Sequence, residues 1–202
     1  MKKLLIGLFV LIMLLFATGC YKSPVLSHTP RDEAEKGCEL NDAIQCYSLG
    51  IKYLSGSHDT KKNYLKAKKY YLKTCELNAG LGYYGLGNLY YFRGYEFPKD
   101  WKSDLPKANK YYRKACEFNS PRGCHTMAEN YMYGFDGVKQ NYSKAEKYLL
   151  KGCEVNSHKS CIALAFLYKS GKPGVKQDSL KAKKYFQKAC ASGNYRDLKE
   201  CQ

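Results

Sequence analysis

The sequence predicts an all-α solenoid of helix-turn-helix repeats stapled by disulfides. Three observations carry that expectation. Cysteines at 38, 75, 116, 153 and 190 are separated by 37, 41, 37 and 37 residues. Four of them end one phrase, as in Ala67-Lys68-Lys69-Tyr70-Tyr71-Leu72-Lys73-Thr74-Cys75 and Ala108-Asn109-Lys110-Tyr111-Tyr112-Arg113-Lys114-Ala115-Cys116, with further copies over 145–153 and 182–190. A second phrase, Leu/Met-Gly/Ala-x-x-Tyr, alternates with the first. A period of this length means stacked supersecondary units, because a lone helical hairpin cannot bury its apolar face.

The chain opens outside that pattern. Lys2 and Lys3 precede the apolar run Leu4 to Phe16, which leads through Ala17-Thr18-Gly19 into Cys20. The run is too short for a comfortable membrane span and ends in small residues, so residues 1–19 are expected to be a secretory signal peptide. Two processing fates fit. Phe16 to Cys20 resembles a bacterial lipobox, which would make Cys20 the lipidated first residue of an outer-membrane lipoprotein. Ala17 departs from the Leu usual there, and Ala17-x-Gly19 also suits ordinary signal peptidase, which would leave a periplasmic or secreted protein. Tyr21 is not the Asp that commonly retains lipoproteins at the inner membrane. Residues 20–30, with Pro24 and Pro30, read as a tether, and any membrane contact is expected through the N-terminal lipid alone.

The repeat domain is expected over 31–202. A half-unit, Arg31 to Asn41, precedes four units at about 43–78, 80–119, 121–156 and 158–193, and a short C-terminal cap follows. The first helix of each unit carries the Leu-Gly-type phrase: Leu49-Gly50-Ile51-Lys52-Tyr53, Leu86-Gly87-Asn88-Leu89-Tyr90, Met127-Ala128-Glu129-Asn130-Tyr131 and Leu164-Ala165-Phe166-Leu167-Tyr168. Its small residue admits the paired helix, and Gly56, Gly94, Gly134 and Gly171 are expected to end it. Asn63, Asp104, Asn141 and Asp178 then stand four residues before the alanine of the second helix, where their side chains can accept from first-turn amides. Ala, Tyr and Cys at spacings of three to five share one helical face, with lysines toward water. The second unit has four extra residues around Glu96-Phe97-Pro98-Lys99-Asp100-Trp101, expected as a longer loop.

Cys38 and Cys46 are eight apart, as are Cys116 and Cys124, and Cys153 and Cys161. The first of each pair falls in the last turn of one helix and the second in the first turn of the next. A chain reversal between them brings the sulfurs face to face, so three disulfides are predicted. The pattern breaks twice. Cys75 should pair with position 83, which is Tyr83, and Cys190 with position 198, which is Leu198. Cys201 lies close by, so Cys190–Cys201 is predicted and Cys75 is left unpaired, with Cys75–Cys201 or a bond to another chain as the open alternatives. Zinc sites favour pairs two to four residues apart, which this chain lacks, and His28, His58, His125 and His158 are scattered. No Cys-x-x-Cys redox pair and no cofactor-binding motif occurs.

These features resemble the Sel1-like repeats, a class related to tetratricopeptide repeats, and more narrowly the Helicobacter cysteine-rich proteins. The resemblance covers roughly residues 34 to 195 and implies a right-handed solenoid, with host interaction or cell-wall association as its use. It also implies the β-lactam binding or weak β-lactamase activity described for that family. Serine β-lactamases need Lys three residues after the nucleophilic Ser, and no serine here has it; Ser103-Asp104-Leu105 and Lys73-Thr74-Cys75 are fragments of the other two elements. A binding scaffold is therefore the expectation, with a β-lactam hydrolase as the enzymatic alternative.

The formal charge of +16, about +14 once Lys2 and Lys3 are removed, is mostly lysine. A solvated lysine face explains it, and such a field also favours polyanions of the envelope. No nucleic-acid recognition motif accompanies the charge. In stacked hairpins the first helices line a concave surface. The positions after the cysteine slot, and four and seven residues on, are expected there: Tyr47, Ile51 and Leu54; Tyr84, Asn88 and Tyr91; His125, Glu129 and Met132; Ile162, Phe166 and Lys169. Tyrosine suits binding because a rigid ring offers apolar area plus a hydroxyl. A monomer that binds protein, peptide or cell-wall glycan in this groove is the expected function.

Overall fold

The computed structural model describes residues 30–77, 79–91 and 104–191. The expected signal peptide, Cys20, the tether up to Thr29, Gly94, the loop around Trp101 and Cys201 lie outside those residues. Nine α-helices make up the described part: α1 (Arg31–Glu39), α2 (Ala43–Ser55), α3 (Tyr64–Glu76), α4 (Gly80–Tyr91), α5 (Leu105–Glu117), α6 (Pro121–Tyr133), α7 (Tyr142–Glu154), α8 (His158–Ser170) and α9 (Ser179–Cys190). No strand occurs among them, only isolated bridges in two hairpin turns, Ser57 with Thr60 and Lys172 with Val175.

Each hairpin is built by local chemistry. Asn63, Asp104, Asn141 and Asp178 cap the second helices, each accepting at 2.9 Å from the amide of the residue three on. Asp42, Ser120 and Ser157 do the same for first helices. These side chains satisfy amides that the helix itself leaves without partners. Gly134 closes α6 in the left-handed region at φ 71°, and Gly56 and Gly171 follow α2 and α8 at φ 73° and 64°. Between units a different device turns the chain. Asn41, Asn119 and Asn156 all sit near φ 60°, where asparagine is tolerated better than most residues.

Close approach between helices comes from paired volumes. The ring of Tyr71 is wedged between α2 and α4: a Cβ on Gly50 would lie 2.3 Å from it and one on Gly85 2.4 Å. Gly87 likewise makes room for Tyr112, where a Cβ would lie 2.4 Å from the ring. In the third unit the small residue is Ala128 and the second helix offers Leu149, both fully buried in one cluster. The same exchange operates beside the cysteines. Gly37 accommodates Gln45, Gly123 accommodates Ala115, and Gly152 accommodates Ser160.

Disulfides join Cys38 to Cys46, Cys116 to Cys124 and Cys153 to Cys161, with Cα–Cα distances of 4.6, 4.5 and 4.7 Å. Each spans a junction between successive units. Cys190 is also disulfide-bonded. Cys75 is a buried free thiol, and burial pushes its pKa up to about 12. Tyr83 occupies the position of its missing partner and packs on Phe118 at the far end of its own unit, with ring centroids 4.8 Å apart.

First helices of neighbouring units pack directly on one another, α2 on α4, α4 on α6 and α6 on α8. Of the second helices described, only α5 and α7 meet. The side on which helices crowd is the inside of the curve, so the first helices form the concave face. The half-unit α1 is tied to the first hairpin at both ends: by Cys38–Cys46, and by the Arg31 amide, which donates at 3.0 Å to Asp59 in the 57–60 turn.

Candidate groove on the concave face

The first helices place their groove positions in a strip of mixed character. Tyr91 is 39% exposed and Phe166 44%, while Tyr84, Asn88, Met132, Ile51, Leu54 and Ile162 are half-buried. Glu129 and Lys169 are exposed. Tyr47 departs from the expectation. Its ring is 1% exposed because it packs on Tyr71 at 5.6 Å, and burial pushes its pKa up to about 12 despite a hydrogen bond with Arg122. It belongs to the core beneath the groove.

Arg122 is the central residue that sequence reasoning missed. It stands in the first turn of α6, with its guanidinium 6.0 Å from the Tyr84 ring centroid, and it also reaches Tyr47 on α2. One cation thus bridges three first helices. The available signal was its register, two residues before the cysteine slot, where the first two units carry Ile44 and Leu81.

Polar side chains in the strip are held from behind. Asn88 accepts from the Tyr112 hydroxyl at 2.9 Å. His125 Nε2 lies 3.5 Å from a Glu129 carboxylate oxygen, one helical turn away. Burial lowers the His125 pKa, Glu129 acts against that and Lys159 adds to it, while Nδ1 is buried without a hydrogen-bond partner. The pair can orient a ligand's polar group. Next to α9, Phe166 meets Phe186 edge-on at 5.0 Å, with Lys169 5.9 Å from each ring. A cleft of about 290 Å³ lined by Lys169, Ser179, Ala182, Lys183 and Phe186 adjoins them.

A second surface repeats more strictly. In every unit the tyrosine ending the first-helix phrase stacks on the tyrosine three residues after the second helix's alanine: Tyr53 on Tyr70, Tyr90 on Tyr111, Tyr131 on Tyr148 and Tyr168 on Tyr185. Centroids are 5.5, 5.5, 5.7 and 5.8 Å apart and the planes within 15°. A lysine from the second helix also stands over each first ring. Lys66, Lys107, Lys144 and Lys181 stand 5.0, 4.3, 5.4 and 5.0 Å from their centroids. The signal was the phrase Lys-Ala-x-Lys-Tyr, present four times.

Among the described residues no helix is long and apolar enough to cross a membrane, and no cluster of histidine, cysteine or acidic side chains could hold a metal ion.

The Sel1 repeat profile matches the chain four times, at 46–78, 80–117, 121–157 and 158–194. Solved structures with similar folds include a Sel1 repeat protein from Oxalobacter formigenes, 24% identical over 81% of this chain and 64% of that one, with a TM-score of 0.64. Cysteine-rich protein B of Helicobacter pylori is 34% identical over 69% of this chain and 94% of its own, at 0.51. An immunity protein from Pseudomonas aeruginosa is 21% identical over 81% of this chain and 56% of that one, at 0.54. The chain spans less than two thirds of the Oxalobacter and Pseudomonas proteins. No curated protein gave a match.

Proposed function

The chain belongs to the Sel1 repeat family, and from that membership we propose that it is an exported scaffold, acting as a monomer, that holds a protein or peptide segment along its concave face. The observation that carries this reading is the strip from Tyr84, Asn88 and Tyr91 to His125, Glu129 and Met132, with Arg122 across it. Apolar ring surface alternates there with donors and acceptors fixed from behind, an arrangement that recognises a chain with its own alternating backbone and side chains. Export is supported by the disulfides, since reducing compartments do not keep such bonds, and Cys20 is the residue that would carry a lipid anchor. The charge serves this reading as solubility, with no nucleic acid among the partners.

The test is selection of peptides from a random library on the immobilised, oxidised protein. Selected peptides are then measured against a Tyr84→Ala/Tyr91→Ala/Glu129→Ala variant that keeps the helical circular dichroism of the parent. Loss of about tenfold or more in affinity is expected if these are central contacts. Peptides that bind the variant as tightly as the parent would overturn the groove assignment.

A further inference from the structure

We infer that the convex face, independently of the groove, is a binding surface for a linear anionic polysaccharide, read by the lysines that cap the stacked tyrosine pairs. Lys66, Lys107, Lys144 and Lys181 occupy one position in four successive units, and each is exposed. Packing against a tyrosine ring fixes the ammonium in place, so less side-chain freedom is lost when an anion binds. Three and seven residues on, every second helix carries two further lysines. On consecutive hairpins this gives corresponding clefts of about 380 Å³ and 390 Å³, the first lined by Lys107, Lys110, Lys114 and Tyr111 with the capping Asp104 at its edge, the second by Lys144, Lys147, Lys151, Tyr148 and Tyr131. Those volumes fall in the range of small-ligand sites.

Three features choose the polymer. The recognition unit repeats with unchanged chemistry, which suits a polymer of identical units rather than an acidic peptide. The cations are lysine, a strongly hydrated point charge that pairs with carboxylate or sulfate without demanding geometry, whereas nucleic-acid phosphate is commonly read by the planar fork of arginine. The first ring of each pair is stacked on a tyrosine and approached by a lysine, and Tyr53, Tyr90 and Tyr168 are buried, so they offer no open platform on which a base could stack. The second tyrosine of each pair is half-buried, which leaves part of it for contact with a sugar.

The experiment uses the oxidised protein with three probes of matched charge: polygalacturonate oligomers, poly-glutamate and single-stranded oligothymidylate. Binding to the polysaccharide is expected to be tightest, to strengthen with oligomer length and to weaken as salt rises. A Lys66→Gln/Lys107→Gln/Lys144→Gln/Lys181→Gln variant is expected to lose about tenfold or more in affinity and about three to four from the log–log salt slope. Lys61→Gln/Lys139→Gln/Lys172→Gln/Lys176→Gln removes the same charge from the hairpin turns and is expected to lose much less. Equal losses in the two variants would mean attraction by net charge alone and overturn the site. Poly-glutamate or oligothymidylate binding as tightly as the polysaccharide would overturn the assigned class. The groove variant should keep full polysaccharide affinity, so failure of one surface is separable from failure of the other.

Discussion

Gly82 lies directly against Cys75: a Cβ at position 82 would stand 2.8 Å from the sulfur and 2.6 Å from the amide nitrogen of Cys75. Helix α4 therefore reaches α3 as closely as a disulfide-bonded pair requires, although position 83 is Tyr. Tyr83→Cys is expected to form the missing bridge spontaneously on oxidative folding. Thiol titration of the denatured protein, made without Cys20, would fall from one free thiol to none. A variant with two free thiols would show that the junction is not preorganised.

Removing a staple should cost roughly what closing its loop saves. Cys116→Ser/Cys124→Ser is expected to lose about 2.5 kcal/mol by the chain-entropy estimate for a nine-residue loop. Urea unfolding at fixed pH measures it. A change under about 0.5 kcal/mol would mean that packing alone fixes that turn.

Gly87→Ala should be destabilising although alanine favours helix, because the new methyl collides with the Tyr112 ring at 2.4 Å. A loss of about 1–3 kcal/mol is expected for such overpacking. Adding Tyr112→Leu reproduces the Ala128–Leu149 pairing of the next unit and should recover part of it. The double-mutant cycle is the check, and additivity of the two costs would refute the volume pairing.

His125 gives a pH signature. Burial lowers its pKa, so folding favours the neutral ring. Its stabilising contribution is present above the unfolded histidine pKa of about 6.5 and declines as pH falls below that value, levelling once the folded pKa is passed. Between pH 7.5 and 5 the parent should lose more thermal stability than His125→Gln. Parallel curves for the two proteins would remove His125 as the cause.

The alternation of first and second helices, the four asparagine and aspartate caps and the close approach of the eight-spaced cysteines were legible because each depends on residues near in sequence. What lay beyond reach depends on partners two helices away. Tyr47 shares its register with Tyr84, yet Tyr71 draws it into the core. Arg122 reads as a first-turn surface residue until the curve of the stack sets it beside Tyr84 and Tyr47. The left-handed turns between units were readable in principle, since each described one ends a Glu-x-Asn sequence, at Asn41, Asn119 and Asn156. The lysine–tyrosine pairs needed both helices in place, because each joins a first-helix ring to a second-helix cation.

Among the described junctions between units, the one between α3 and α4 has no covalent cross-link. Tension applied along the stack is carried through sulfur at Cys38–Cys46, Cys116–Cys124 and Cys153–Cys161, but between α3 and α4 it falls on the backbone and on noncovalent contacts, the Arg122–Tyr47 hydrogen bond among them. The molecule is thus a chain of welded links with one dry joint. Under load, or in the first stage of melting, the half-unit and first hairpin should part there from the three that follow.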